Sequence, residues 1–424
     1  MVSRKPMLPT LFLISAIGCS DQSTEVSVPP NSLDTPLAHA AADVHTRAIV
    51  VDMHNDVATR MIDEAGFDLT RPNQGGHTDL PRMTAGGLDA QFMSVWVDPW
   101  VFPGELAWDR TLAMIDVIHA FVERNPARVK LVAGAAELRA AAADNKIAIL
   151  IGVEGAHALG DVATVDLAKN RLRELYQQGV RYLTITWSNS NILAGSSGDD
   201  GRDRGLTDLG RAVIAEMNDL GMLVDVSHVS DRAFFEILEV SRLPVIASHS
   251  SMRSITDNPR NVTDEMLLAV AQNDGLVAIN FSSGFLDNAW QTQFEDVKAR
   301  HKSALDELSA SFDDELEASM AVWSRESELA ATVRPRVPLS SLIDHMDHAL
   351  RIAGPEHVGL GSDFDGVEAV PEGIDDVAQF PAITRALLNR GYSEEVAINV
   401  LGGNILRVLA ENEEGRASSA DASR

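Results

Sequence analysis

The chain has 424 residues, 45% of them hydrophobic and 23% charged, an ordinary globular composition with enough length for a large core. Its 62 acidic residues outnumber 35 basic ones, giving a formal net charge of −27. Such a surface repels phosphate backbones and anionic lipid, which excludes nucleic-acid binding through a basic patch.

In chain order, Arg4 and Lys5 precede the apolar run Met7 to Ile14, and the small residues Ser15-Ala16-Ile17-Gly18 lead into Cys19, the chain's one cysteine. A charged start, a short apolar stretch and small residues make a secretory signal over 1–19, too short to span a bilayer. Small residues followed directly by Cys resemble a bacterial lipoprotein signal, although Ala16 stands where leucine is usual. That resemblance implies lipidation of Cys19. With Ser20 next, it also implies an outer-membrane lipoprotein facing the periplasm, with plain periplasmic or secreted export as the alternative. A body without cysteine suits export. Residues 20–44, rich in Ser, Thr, Pro, Asp and Ala, read as a flexible tether. The folded body is expected over 45–411, with a loose tail over 412–424.

Eight short apolar runs follow, at 48–54, 89–97, 147–154, 181–187, 222–228, 244–249, 276–283 and 358–364, separated by segments long enough for helices. Continuous apolar strands alternating with helices imply a parallel sheet covered on both faces, and eight such units fit an α/β fold of the closed (β/α)8 TIM-like type. Residues 287–336 carry heavy charge at helical spacing and read as an extra helical insertion after strand 7. They are expected to be a solvated cover, with a lid or a homodimer contact left open.

The run "VVDMHND" ends in His54 and Asp56, two positions apart and so on one face of a strand. Either they satisfy each other or they jointly hold something. The other runs decide: Glu154 ends strand 3, His228 strand 5, His249 strand 6 and Asp363 strand 8, and in a barrel all these ends open on one rim. Buried carboxylates and imidazoles at this density need compensation, which a divalent metal supplies. The five donors His54, Asp56, Glu154, His228 and His249 exceed the three that one catalytic zinc takes. Two metals fit better, His54 and Asp56 on one, His228 and His249 on the other, with Glu154 bridging.

The stretches "VDMHND", "GVEGAHAL", "LVDVSHVSD", "PVIASHSSMRS", "NPRNVTDEML" and "GLGSDFDGV" resemble the motifs of the membrane dipeptidase (renal dipeptidase-like) metallopeptidases, in family order over about residues 45 to 410. The resemblance implies two zinc ions per chain and cleavage of dipeptides, often with a D-residue at the C-terminal position, by a hydroxide bridging the metals. It implies ligand roles for the same five residues, with Glu154 shared, an acid/base role for Asp363 and a grip on the substrate carboxylate by Arg260. It also exposes two departures. Better-known members carry a histidine where Trp187 ends "LTITW", and a tyrosine is expected where "INFSS" has Ser282. The metal core matches; the substrate shell does not.

Other features have blander readings. His157 is expected behind Glu154, Asp365 as a loop carboxylate, the cluster Asp344-His345-Met346-Asp347-His348 as a solvated helix face, and "GSSGDDGRDRG" (195–205) as a mobile loop over the mouth. The enzymatic rival is another binuclear amidohydrolase, acting on lactams or N-acyl amino acids. Many of those carry His-x-His on strand 1 and a lysine bridge, whereas strand 1 here has His-x-Asp. A non-enzymatic metal-binding lipoprotein is disfavoured, because structural metal sites are usually closed and tetrahedral.

Overall fold

The computed structural model describes residues 36–422. The signal, Cys19 and most of the expected tether lie outside that range. A nine-stranded parallel sheet forms the centre: β1 (Val51–Asp52), β2 (Ala90–Trp96), β3 (Val129–Leu131), β4 (Ile147–Glu154), β5 (Val180–Thr184), β6 (Leu223–Asp225), β7 (Ile246–Ala247), β8 (Leu276–Ile279) and β9 (Val358–Leu360). The pairing order is β1-β2-β4-β5-β6-β7-β8-β9, which is the eight-strand path expected of a (β/α)8 barrel. β3 was not anticipated. It pairs with the first half of β4, Val129 against Ile147, and β5 takes over from Ile151 onward. Its two-residue-wide patch of Val129 and Leu131 is too short to give a periodic signal.

β1 and β9 form no ladder. The seam closes through single bonds: Met53 N–H to the Leu360 carbonyl (2.9 Å), Asp363 N–H to the His54 carbonyl (3.1 Å) and Asp56 N–H to the Phe364 carbonyl (2.8 Å). The closure therefore runs through the backbone of three candidate site residues and ties the first and last strand ends together.

The eight residues of β4 are all buried, as a parallel strand between two packed faces requires. Alternate strand residues Phe92, Leu150, Tyr182, Leu223, Ile246 and Leu276 fill the barrel interior. The same cluster takes in Leu138 and, from the last helix, Ile405, Leu406 and Leu409, which continue the apolar core at the bottom. Outside, helices present one apolar face each. In Asp208–Leu220, capped by Thr207 and ended by Gly221 at φ 70°, Val213, Ile214 and Met217 are buried. In Asp231–Val240, capped by Ser230, the buried set is Ala233, Phe234 and Ile237.

Two boundaries differ from expectation. Helix Pro36–Arg47 occupies the end of the expected tether. It docks because Ala41 and Val44 are buried and His45 bonds Thr384 Oγ1 (2.7 Å) and the Gly86 carbonyl (2.8 Å). Helix Asn404–Ala422 runs through the expected loose tail, where Asn412 is buried and bonds the Val408 carbonyl. In the segment after β8, Ser283–Leu286, Asn288–Ser309 and Glu315–Ala330 are helical, as the charge spacing over 287–336 suggested. The cluster at 344–348 is only half solvated: His345 is fully buried, accepting the Met252 N–H at Nδ1 (2.9 Å), because it lies on the inner face of helix Leu339–Ile352.

Gly152 shows how tightly the upper barrel is packed. A Cβ there would lie 1.9 Å from Tyr182 Cζ, and Tyr182 is itself fully buried. Gly152→Ala is expected to lower stability by about 1–3 kcal/mol or more, read as a shift in the urea midpoint at unchanged slope.

Candidate metal and active site

The ladders stop short of the candidate ligands except Glu154, the last residue of β4. β1 ends at Asp52, β6 at Asp225 and β7 at Ala247, so His54, His228 and His249 stand just beyond their strands, in loops. The predicted strands ran several residues too far here, because polar side chains take over the backbone bonds. Asp52 accepts the Ser362 N–H (2.8 Å), the Ser362 hydroxyl (2.6 Å) and the Gln91 amide (2.9 Å). Asp225 accepts the Ser227 N–H (3.0 Å), the Ser248 N–H (2.9 Å) and the hydroxyls of Thr184 and Ser248 (both 2.6 Å). His228 and Asp363 then adopt left-handed backbone at φ 69° and 60°. A non-glycine residue pays about 1–2 kcal/mol there, a strain characteristic of functional sites.

All six strand-end residues meet. Glu154 Oε1 lies 2.8 Å from His228 Nε2 and 3.2 Å from His249 Nε2, which are 3.0 Å from each other. His54 Nε2 lies 3.6 Å from Glu154 Oε2, 3.4 Å from Asp56 Oδ2 and 3.9 Å from Asp363 Oδ1. Two overlapping groups have ligand atoms close enough to share an ion: His54, Glu154 and His249, and His54, Asp56 and Asp363. Every member is buried.

The donors fit a cation by their protonation. The Ser248 hydroxyl gives its proton to Asp225, so at 2.7 Å it must accept from His249 Nδ1–H. His249 Nε2 is then a bare lone pair facing a carboxylate oxygen, an arrangement that repels unless positive charge lies between. His54 Nδ1 is likewise occupied, by the Tyr182 hydroxyl at 2.8 Å, which aims Nε2 into the cluster. Neither His54 Nε2 nor Asp56 Oδ1 has a hydrogen-bond partner among the described residues.

The electrostatics divide the histidines: against the effect of burial, Tyr182, Glu154 and Asp56 raise His54 well above its ordinary value, so positive charge gathers there, while the other two are lowered. Burial, with the positive field of Arg260, drives His228 down to about 3, and burial, His54 and Arg260 hold His249 well below its ordinary value. Burial would raise Glu154, but the positive field of His54, with the bond from His228, holds it well below the usual carboxylate range. Asp363 goes the other way: burial and the repulsion of Asp56 and Glu154 push it up to about 7, against the pull of His54 and the Asn280 bond. That bond, Asn280 Nδ2 to Asp363 Oδ2 at 2.7 Å, fixes one carboxyl oxygen and leaves Oδ1 toward His54.

Arg260 reaches the cluster from the loop after β7. Nη1 donates to Ser250 Oγ (3.1 Å) and Nη2 to the His249 carbonyl (3.0 Å), while buried Nε has no partner among the described residues. Desolvation brings it down to about 10, so it stays cationic at neutral pH. The aromatic beside it is Phe285, 5.6 Å from the guanidinium carbon; Ser282 instead donates its backbone N–H to Asn280 Oδ1.

The chain matches the membrane dipeptidase family (peptidase family M19) over residues 38–423. It belongs to that family. It is therefore a metallo-dipeptidase with the barrel fold of its relatives. It is similar to a solved metallopeptidase named dipeptidase AC, also of family M19, at 28% identity with a TM-score of 0.69, over 86% of this chain and 98% of that one. It is also similar to a metallopeptidase from Rhodobacter sphaeroides, solved with a phosphinate mimic of the dipeptide L-Ala-D-Ala, at 27% identity and a TM-score of 0.68, over 86% and 99%.

Several members of this dipeptidase site carry no sequence signal of their own. Tyr182, Asn280 and Asp225 lie inside apolar or polar runs and act on ligands brought near only by folding. The loop at 195–205, expected to be mobile, is tied to the site: Ser197 N–H donates to the His228 carbonyl (2.8 Å) and Ser196 Oγ to the Trp187 carbonyl (2.6 Å). Asp365 clamps a neighbouring loop, accepting the His77 N–H (2.9 Å). His157 donates Nε2–H to the Val97 carbonyl (2.7 Å) beside Gly155, whose φ of 89° and lack of Cβ make room for the imidazole. Because the Tyr182 hydroxyl orients His54, Tyr182→Phe is expected to weaken metal binding roughly 10–100-fold, measured by competition with a chelating dye, with the far-UV spectrum unchanged.

Proposed function

We propose that this metallo-dipeptidase holds two zinc ions and hydrolyses dipeptides, including those with a D-residue at the C-terminal position. His54 and Asp56 would hold one ion, His228 and His249 the other, and Glu154 both. The observation that carries this reading is the convergence of His228 and His249 on one oxygen of Glu154 while His54 approaches the other. The relative solved with an L-Ala-D-Ala mimic supports the substrate class. Bound metal supplies polarisation of the peptide carbonyl and a water acidic enough to attack it.

The chain's own groups do the rest. Arg260, immobilised by Ser250 and the His249 carbonyl, presents its remaining N–H groups to the free carboxylate of the C-terminal residue. Asp363, anchored through Asn280, carries a proton on the oxygen facing the cluster and delivers it to the departing amine. The barrel interior below is apolar and filled, so the reaction is confined to the rim.

Elemental analysis is expected to find two zinc ions per chain. Hydrolysis of L,L and L,D dipeptides should be lost on chelation and return with zinc. Glu154→Ala should lower kcat by roughly a thousandfold or more, and amidation of the substrate carboxylate should lower kcat/KM by about a hundredfold or more. A chain that binds two zinc ions yet cleaves neither class of dipeptide would sink the proposal. For localisation, the motif at 1–19 supports lipid anchoring in the outer membrane; Cys19→Ser is then expected to move the protein from the membrane to the soluble fraction on cell fractionation.

A further inference from the structure

One side of the mouth is built from tryptophan. Trp96, at the end of β2, stands opposite Glu154 in the β2–β4 ladder, and Trp187 follows β5. Their ring centroids are 5.0 Å apart, and Trp100, in the loop after β2, meets Trp187 edge-on at 5.5 Å. The Trp187 ring also lies 6.4 Å from the His228 ring. At 65% exposure, Trp100 is the most exposed large hydrophobic side chain among the described residues. The three indoles run as a continuous wall from the ligand cluster out to solvent. The outer ring packs edge-on against Trp187 and otherwise faces solvent, and an exposed indole gains when something apolar covers it.

Unpartnered polar atoms orient a substrate against this wall. A dipeptide offers only acceptors at its carboxylate and only donors at its ammonium. Arg260 Nε, a buried donor without a partner among the described residues, lies with its guanidinium against the His249 carbonyl. On the indole side the unpartnered atoms are a donor, Trp96 Nε1–H, and two acceptors. His157 gives its Nε2 proton to Val97, so Nδ1 is a bare lone pair, and Asn189 Oδ1 is also without a partner. A Cβ built on Gly155 would lie 2.5 Å from His157 Nδ1 and 3.1 Å from Trp187 Cβ, so this buried acceptor lies next to the wall with only a glycine between. The carboxylate belongs at Arg260, and the amino-terminal residue belongs against His157 and the indoles.

We propose that the Trp96–Trp187–Trp100 wall makes the enzyme selective for dipeptides whose N-terminal residue carries a large apolar side chain, aromatic above all. The proposal rests on the dipeptidase reading and narrows its substrate class. Seating such a side chain against the rings removes apolar area from water on both partners. The expected preference for L-Phe-L-Ala over Gly-L-Ala is about tenfold or more in kcat/KM, carried mainly by KM.

The test uses the zinc-loaded enzyme with L-Phe-L-Ala, L-Leu-L-Ala and Gly-L-Ala. The expected order is Phe, then Leu, then Gly. In Trp100→Ala, which removes an exposed ring and leaves the barrel core intact, the Phe/Gly ratio should fall to within about threefold; in Trp187→Phe it should fall part of the way. Binding of a phosphinate analogue of Phe-Ala should change tryptophan emission more than the Gly-Ala analogue does. A Phe/Gly ratio unchanged in both variants, or a parent enzyme that prefers Gly-L-Ala, overturns the wall and leaves the dipeptidase reading standing. Failure to cleave any of the three peptides or their counterparts ending in D-Ala, with two zinc ions bound, overturns both.

Discussion

Glu154 is the point on which the site turns. Its carboxylate is buried and surrounded by three imidazole nitrogens, one of which is deprotonated by its own hydrogen-bond network. A lone pair facing a carboxylate about 3 Å away in a low-dielectric interior is repulsive, and only a cation between them turns the contact into an attraction. Much of the surrounding structure serves to keep that arrangement from relaxing. Asp225 fixes Ser248, Ser248 fixes the tautomer of His249, Tyr182 aims His54, and Asn280 holds one oxygen of Asp363. These partners outside the ligand set hold the geometry and the charge state of the ligands, as such partners do at metal sites generally.

The barrel makes this possible by separating its two ends. Alternate strand residues fill the interior with Phe92, Leu150, Leu223 and Leu276, and the last helix adds Ile405 and Leu409 at the bottom. Polar groups collect above that packing. The seam between β1 and β9 is closed by backbone bonds of Met53, Asp56 and Asp363 rather than by a ladder. The same contacts that complete the barrel therefore set the distance between the first and last site residues. Left-handed backbone at His228 and Asp363 is tolerated because these networks over-determine it.

Beside the cluster of metal-capable side chains, the rim is lined by groups of a different kind. Where a polar group was expected after β5, Trp187 packs between Trp96 and Trp100. Where a tyrosine was expected after β8, Ser282 donates its backbone N–H to the Asn280 side chain and Phe285 supplies the aromatic face near Arg260. Changes of this kind alter which side chains are accepted without touching the groups that bind metal, because the two sets sit on different loops of one rim.

The primary sequence alone was sufficient for the alternation of apolar runs and helices, and for the six polar residues that end those runs. Both are local: a buried parallel strand must be continuously apolar, and a charged residue at its end stands out against it. Strand lengths were overestimated, since apolar character persists past the point where Asp52 and Asp225 capture the backbone bonds. Helix over 36–44 and 412–422 carries no sequence signal because those segments are rich in small and polar residues and docking depends on partners remote in sequence, such as Thr384 for His45. Tyr182, Asn280 and the Trp96–Trp100–Trp187 cluster belong wholly to the tertiary structure. Each acts across a barrel rim on a residue dozens of positions away, and no local pattern records which side chains a closed sheet will bring face to face.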